Sequence, residues 1–148
     1  MPVRVTADAA ADLVAETLPQ RVALISRTLV RQVPQALSRT ELGLLVTLDD
    51  GPVRITELAA AERLAQPTVT LLVKGLEARG LVERRRDPAD GRAVLVQVTD
   101  AGREAVDRVR AALRDALRVH LAALSDEQVQ ALAAASDALI PLIEALEH

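Results

Sequence analysis

Four arginines, Arg84, Arg85, Arg86 and Arg92, bracket a short turn in the stretch ERRRDPADGRAVLVQVT, residues 83–99. A guanidinium presents its N–H donors as a rigid fork that fits phosphate oxygens, and it keeps its charge throughout the physiological pH range. Arginines beside a projecting turn therefore suit a polyanion, above all where a narrow minor groove concentrates negative potential. The alternative for the same residues is a solvated surface on which one of them pairs with Asp87 or Asp90.

Other chemistry finds little support. The chain has no cysteine, so disulfides, thiolate metal sites and cysteine nucleophiles are excluded. It has no Phe, Tyr or Trp, which removes the stacking platforms of single-stranded nucleic-acid binders and leaves an aliphatic core. The two histidines, His120 and His148, stand beside no Ser or Asp in a catalytic pattern and are not a pair at ligand spacing. No enzyme activity, metal or cofactor is expected. No uninterrupted apolar run reaches membrane-spanning length, and the N-terminus lacks a basic-then-apolar signal pattern. The expected location is the cytoplasm.

The formal net charge of −3 argues against nucleic acid only until its distribution is read. Between Arg63 and Arg92 the cations are Arg63, Lys74, Arg79, Arg84, Arg85, Arg86 and Arg92, against Glu77, Glu83, Asp87 and Asp90. From Ser125 onward there are five acids and no Lys or Arg. Such segregation allows a local phosphate-binding face on an acidic protein.

The elements around the arginines follow from periodicity and capping. Residues 8–33 read as a helix with a kink or break near Leu18, caused by Pro19, and a stop at Pro34. Ser38-Arg39-Thr40-Glu41 has the form of a capping box and opens a helix through Leu48, ended by Asp-Asp-Gly-Pro. After the short segment Val53–Ile55, Thr56 is the expected N-cap of a helix to about Arg63. A further helix covers about Thr68 to Arg79 and stops at Gly80; Pro67 is tolerable in its first turn. Two strands, Leu81–Arg84 and Ala93–Val98, flank the Asp-Pro and Asp-Gly turn chemistry. Thr99 caps a long helix to about Leu121, and Ser125-Asp126-Glu127-Gln128 opens the last one.

Two short helices followed by a basic hairpin make a winged helix-turn-helix. The fold class is thus mainly α (α+β), with a two-stranded wing and flanking N- and C-terminal helices. On the second of the short helices Val69, Leu72, Val73 and Leu76 share a core face. Gln66, Thr68, Thr70, Leu71 and Lys74 remain outside, where Gln can bond adenine twice and Thr can reach base or phosphate. Thr68 and Thr70 have the alternative of merely satisfying the helix start. On the first strand Arg84 and Arg86 share one face and Arg85 the other. Arg84, Arg86 and Arg92 are assigned toward DNA.

The string GLVERRRDPADGRAVLVQVT, within a match running from about Leu37 to Arg103, resembles the MarR family of bacterial transcription regulators. The resemblance implies that Arg92 is a wing-tip arginine entering the minor groove and that Asp90 positions the turn or the neighbouring arginines. It implies phosphate contacts at Ser38 and Thr40. Two departures stand out: Ala65 occupies the position of a frequent capping Ser, and Leu71 and Gly75 occupy positions that often hold Arg. The reading is thereby left to Gln66, Thr68, Thr70 and Lys74.

The outer helices carry more apolar surface than one winged domain needs. Leu13 in the first helix and Leu132, Leu139, Ile140, Ile143 and Leu146 in the last are assigned to dimerisation, as the resemblance also implies. The chain is read as one domain, 1–148, with a winged part at 35–99 and helical dimerisation parts at 1–34 and 100–148. The expected function is a homodimeric, sequence-specific regulator of transcription, a repressor by family tendency, on a pseudo-palindromic operator in double-stranded DNA. The resemblance adds a small-molecule effector of unknown identity; Arg21, Arg27, Arg31 and His120 either meet such an anion or serve as surface and interface residues. The competing reading is a winged helix that binds protein and has lost DNA.

Overall fold

The computed structural model describes residues 6–33 and 36–147; Pro34, the expected stop of the first helix, and His148 lie outside them. Among the described residues, six helices and three short strands run in the order α1 (Ala7–Val30), α2 (Arg39–Thr47), β1 (Val53–Arg54), α3 (Ile55–Ala61), α4 (Gln66–Ala78), β2 (Val82–Arg86), β3 (Val94–Val98), α5 (Asp100–Leu121) and α6 (Asp126–Glu147), with a 3-10 turn at Leu48–Asp50. The chain divides into two compact units, residues 30–112 and residues 1–29 with 113–148, and the division falls inside α5.

In the first unit the local signals act as expected. Ser38 Oγ accepts from the Glu41 N–H at 3.1 Å and Glu41 Oε2 accepts from the Ser38 N–H at 2.7 Å, so the box at the start of α2 is closed. Gly51 and Gly80 hold positive φ values, 141° and 72°, at the ends of the 3-10 turn and of α4. Thr99 Oγ1 accepts from the Gly102 N–H and donates to the Gly80 carbonyl, joining the start of α5 to the start of the wing. The core is aliphatic: Leu44, Leu45, Leu48, Leu58, Val69, Val73, Leu76, Val82, Val96 and Val98 are fully buried, and Leu72 packs against them.

Three expectations need correction. Of the kink or break expected near Leu18, the break does not occur: the first helix continues past Pro19 and ends at Val30. The residue is exposed, so water can serve the carbonyl whose N–H partner proline lacks. Thr56 is not the N-cap of α3. Arg54 holds that position, with Glu57 Oε2 accepting from its N–H at 3.2 Å, and Thr56 lies in the first turn. The sheet has three strands, not two: Val53 and Arg54 pair antiparallel with Val96 and Leu95, giving the order β1-β3-β2. A two-residue strand exists only through that distant partner and has no periodicity of its own.

In the second unit α1, the end of α5 and α6 bury no described residue. Leu13, Leu132, Ile140, Ile143 and Leu146 are 46–77% exposed, and Leu139 is half-buried. Helix α6 opens on a second closed box, in which Ser125 Oγ accepts from Gln128 N–H and Gln128 Oε1 from Ser125 N–H. By length and composition α6 is apolar enough to cross a membrane, although Asp137 and Glu144 interrupt it.

Candidate nucleic-acid interface

Helix α4 begins without a side-chain cap, because Ala65 at the N-cap has no acceptor to offer. Pro67, whose missing N–H costs nothing in a first turn, starts it instead. Val69, Val73 and Leu76 turn inward at 0% exposure. That leaves Gln66, Thr68, Thr70, Leu71 and Lys74 in solvent, Leu71 at 71%. Thr70 Oγ1 donates to the Gln66 carbonyl at 2.9 Å, so its hydroxyl proton is held inside the helix. Its oxygen remains exposed and able to accept.

The wing is held by register and by its turn. Val82, Glu83, Arg84, Arg85 and Arg86 pair with Val98, Gln97, Val96, Leu95 and Val94 in turn. Opposed residues point the same way, so Arg84 lies on the face of buried Val96, toward the helices, and Arg86 beside it. There Arg84 makes a two-donor contact to Glu77 Oε2 of α4, at 2.7 and 2.9 Å. Arg85, on the outer face, bonds Gln97 and lies 3.7 Å from Glu83. Arg86 is exposed. In the free protein, then, Arg84 is not a free cation; releasing it to phosphate would first require breaking its contact with Glu77.

The turn between the strands is built by two aspartates. Asp90 Oδ1 accepts from the Arg92 N–H at 3.1 Å, and the Asp90 carbonyl accepts from Ala93 N–H. Asp87 is buried, and its Oδ1 accepts from Ala89 N–H at 2.8 Å. Its Oδ2 takes two N–H donors from Arg54, Nε at 3.0 Å and Nη2 at 2.5 Å. The bond from the Ala89 N–H, then the Arg54 guanidinium, hold the Asp87 carboxyl below the usual carboxylate range, and Asp87 in turn raises Arg54. Among the described residues the wing arginines thus do not pair with Asp87 or Asp90: Arg84 turns to Glu77 and Arg85 to Glu83, while Asp87 takes Arg54.

Arg92 is exposed at the far end of this turn. With Arg54, Thr56, Gln66, Ala93 and Val94 it lines a concave groove of about 340 Å³ between the wing and the start of α4. Of the sequence-assigned residues, the groove brings Gln66 and Arg92 together. Thr68, Thr70 and Lys74 lie further along α4, Arg84 and Arg86 on the helix side of the wing, and Ser38 and Thr40 at the start of α2. Ser38 Oγ is already an acceptor in its capping box, which leaves its O–H to donate; Thr40 is half-buried. Arg54 and Thr56 were missed. Their one sequence signal was an arginine next to a helix start, which gains meaning only when β1 pairs with β3.

Comparison with known proteins gives consistent results. A family model described as the MarR family matches residues 37–94. An HTH-type transcriptional regulator of Mycobacterium leprae is 36% identical over 100 residues, 66% of this chain and 70% of the relative. The HTH-type transcriptional repressor NicR of Pseudomonas putida is 36% identical over 74 residues, 50% of this chain and 47% of its own. A crystal structure of a transcriptional regulator from Thermotoga maritima superposes with a TM-score of 0.68 at 26% identity, covering 91% of this chain and 94% of the other.

Proposed function

This chain belongs to the MarR family of transcriptional regulators, and on that premise we propose that it is a homodimeric repressor reading a pseudo-palindromic operator in the cytoplasm. The observation that carries the reading is the groove in which Gln66, at the start of an exposed helix, and Arg92, at the tip of a basic wing, face the same open space. A helix end is narrow enough for the ~12 Å major groove, and a hairpin beside it reaches the adjacent minor groove. In this reading Gln66, Thr68, Thr70 and Lys74 select bases. Arg86 and Arg92 add affinity from the wing, Arg84 joins them once Glu77 releases it, Asp90 shapes the turn, and Ser38 and Thr40 touch phosphate.

The dimer is supported by a helical unit that buries no described residue while exposing Leu13, Leu132, Ile140, Ile143 and Leu146. Apolar side chains exposed on this scale are costly in water and suit an interface. A second copy that covers it also accounts for an apolar α6 without a membrane. The winged part would then be presented twice about a two-fold axis, with half-sites about one turn (~34 Å) apart. The alternative, a winged helix that binds protein instead of DNA, gives no reason for an exposed arginine at the wing tip.

An effector belongs to the same reading. A pocket of about 330 Å³ has an apolar wall of Val33, Leu37, Leu81 and Val109 and is also lined by Arg79, which bonds Glu41 and the Ala36 carbonyl, and by Arg108, 3.7 Å from Glu104. That combination suits a small aromatic carboxylate. A gel-shift series with DNA flanking the protein's own gene tests the function. We expect a discrete complex that resists a large excess of unrelated DNA; binding that unrelated DNA removes completely would refute operator recognition.

A further inference from the structure

Asp87 is the one buried charged residue among those described, and it carries four separate ties. Its Oδ1 accepts from Ala89 N–H, its Oδ2 takes both Arg54 donors, and its own N–H donates to the Ala93 carbonyl across the turn. Arg54 is tied just as widely. It ends β1 opposite Leu95, caps α3 with its N–H on Glu57, and lines the groove beside Arg92 and Gln66. One guanidinium therefore connects the first helix of the helix-turn-helix to the base of the loop whose tip is Arg92. A wing that swung away from α4 would have to break it.

From this geometry we infer that Arg54 is a positioning residue, acting through Asp87 to fix the wing tip at the distance from α4 that lets Arg92 and Gln66 engage adjacent grooves together. The inference rests on the operator reading above. Its contribution is orientation: a wing free to swing loses conformational freedom on binding, and that loss is charged to affinity. Direct phosphate contact by Arg54 is the competing account, and the two differ in sign. Removing the Asp87 charge makes the interface less negative, so for a directly contacting Arg54 it should strengthen binding or leave it unchanged. For a positioning pair it must weaken binding.

The test measures operator affinity at fixed salt for wild type, Arg54→Met and Asp87→Asn, each with and without Arg92→Ala. Asp87→Asn keeps the oxygen that accepts from Ala89, and Arg54→Met keeps an apolar stem, so either variant decides if the other unfolds. We expect each single change to weaken the operator roughly fivefold, and Arg92→Ala to cost about tenfold in wild type but under threefold in either background. Arg54→Lys should restore part of the loss, because an ammonium can reach one carboxylate oxygen but lacks the fork. A full tenfold Arg92 effect in all three backgrounds would overturn the positioning role and leave the operator reading intact. No Arg92 effect in wild type would overturn both.

Discussion

Replacing Arg92 with Ala separates a folding role from a binding role, because the structure sets the two expected magnitudes far apart. The bond that shapes the turn runs from the Arg92 backbone N–H to Asp90 and survives truncation of the side chain. The side chain is exposed and makes no ion pair among the described residues. The stability change should stay within about 0.5 kcal/mol, a shift of roughly 1–2 °C for a chain of this size. On DNA the account differs. A hydrogen bond to a charged group is worth about 1.5–3 kcal/mol. Half the lower figure, lost in both copies of a dimer, exceeds the 1.4 kcal/mol of a tenfold change. Anisotropy titrations on a full operator should therefore show at least a tenfold loss, and on a half-site about the square root of it. Each lost phosphate neutralisation should lower the salt slope by ~0.9, so the dimer loses up to about two units. The loss should be greatest with A·T-rich flanks, where the minor groove is narrow, and Arg92→Lys should recover only part of it. Equal affinity for wild type and Arg92→Ala at matched salt would refute the wing-tip assignment.

Four further outcomes follow from the same structure. Gln66→Ala should cost about 1–3 kcal/mol on the correct operator and relax preference at one base pair, whereas Arg84→Ala should weaken all sequences alike; base-selection profiles of both variants check this. Ile143→Glu puts an unpaired charge on the exposed apolar face of α6 and should yield monomer or unfolded chain by sedimentation. Gly102→Ala reverses the usual helix preference: an added Cβ would sit 2.1 Å from the Leu81 carbonyl oxygen and 2.7 Å from Val98 Cγ2. Overpacking of that kind costs about 1–3 kcal/mol, so the melting temperature should fall by roughly 2–12 °C. Because the Asp87 carboxyl is held low in the folded state, its contribution to stability is present above the ordinary carboxylate range and is lost as pH falls through the depressed value. Acid titrations should accordingly show the wild-type advantage over Asp87→Asn intact at pH 7 and shrinking only under strongly acidic conditions.

What could be read from the sequence was what is decided locally. Both capping boxes, at Ser38 and Ser125, close as written because each needs only four consecutive residues. The inward face of α4 follows from the spacing of Val69, Val73 and Leu76, and the wing from alternation and turn chemistry. The failures are all non-local or competitive. β1 exists because Val53 and Arg54 meet β3 more than 40 positions later in the chain, and that pairing moves the start of α3 ahead of Thr56. Arg54 finds Asp87 across 33 positions, so nothing near either residue announces the pair. Arg84 is seven residues from Glu77, but the two sit on a strand and a helix, and only the packing of β2 against α4 makes them neighbours. Pro19 shows the opposite case for the expected break, since the helix continues through an exposed proline where water can serve the carbonyl left without a donor.

The central claim, a two-fold protein that reads an operator with a helix and a wing, meets its most direct test in hydroxyl-radical footprinting of DNA flanking its own gene. The account predicts protections related by two-fold symmetry, with half-sites about one helical turn (~34 Å) apart, and outer minor-groove protections that disappear with Arg92→Ala. A single unsymmetrical protection, or outer protections unchanged by that substitution, would contradict it.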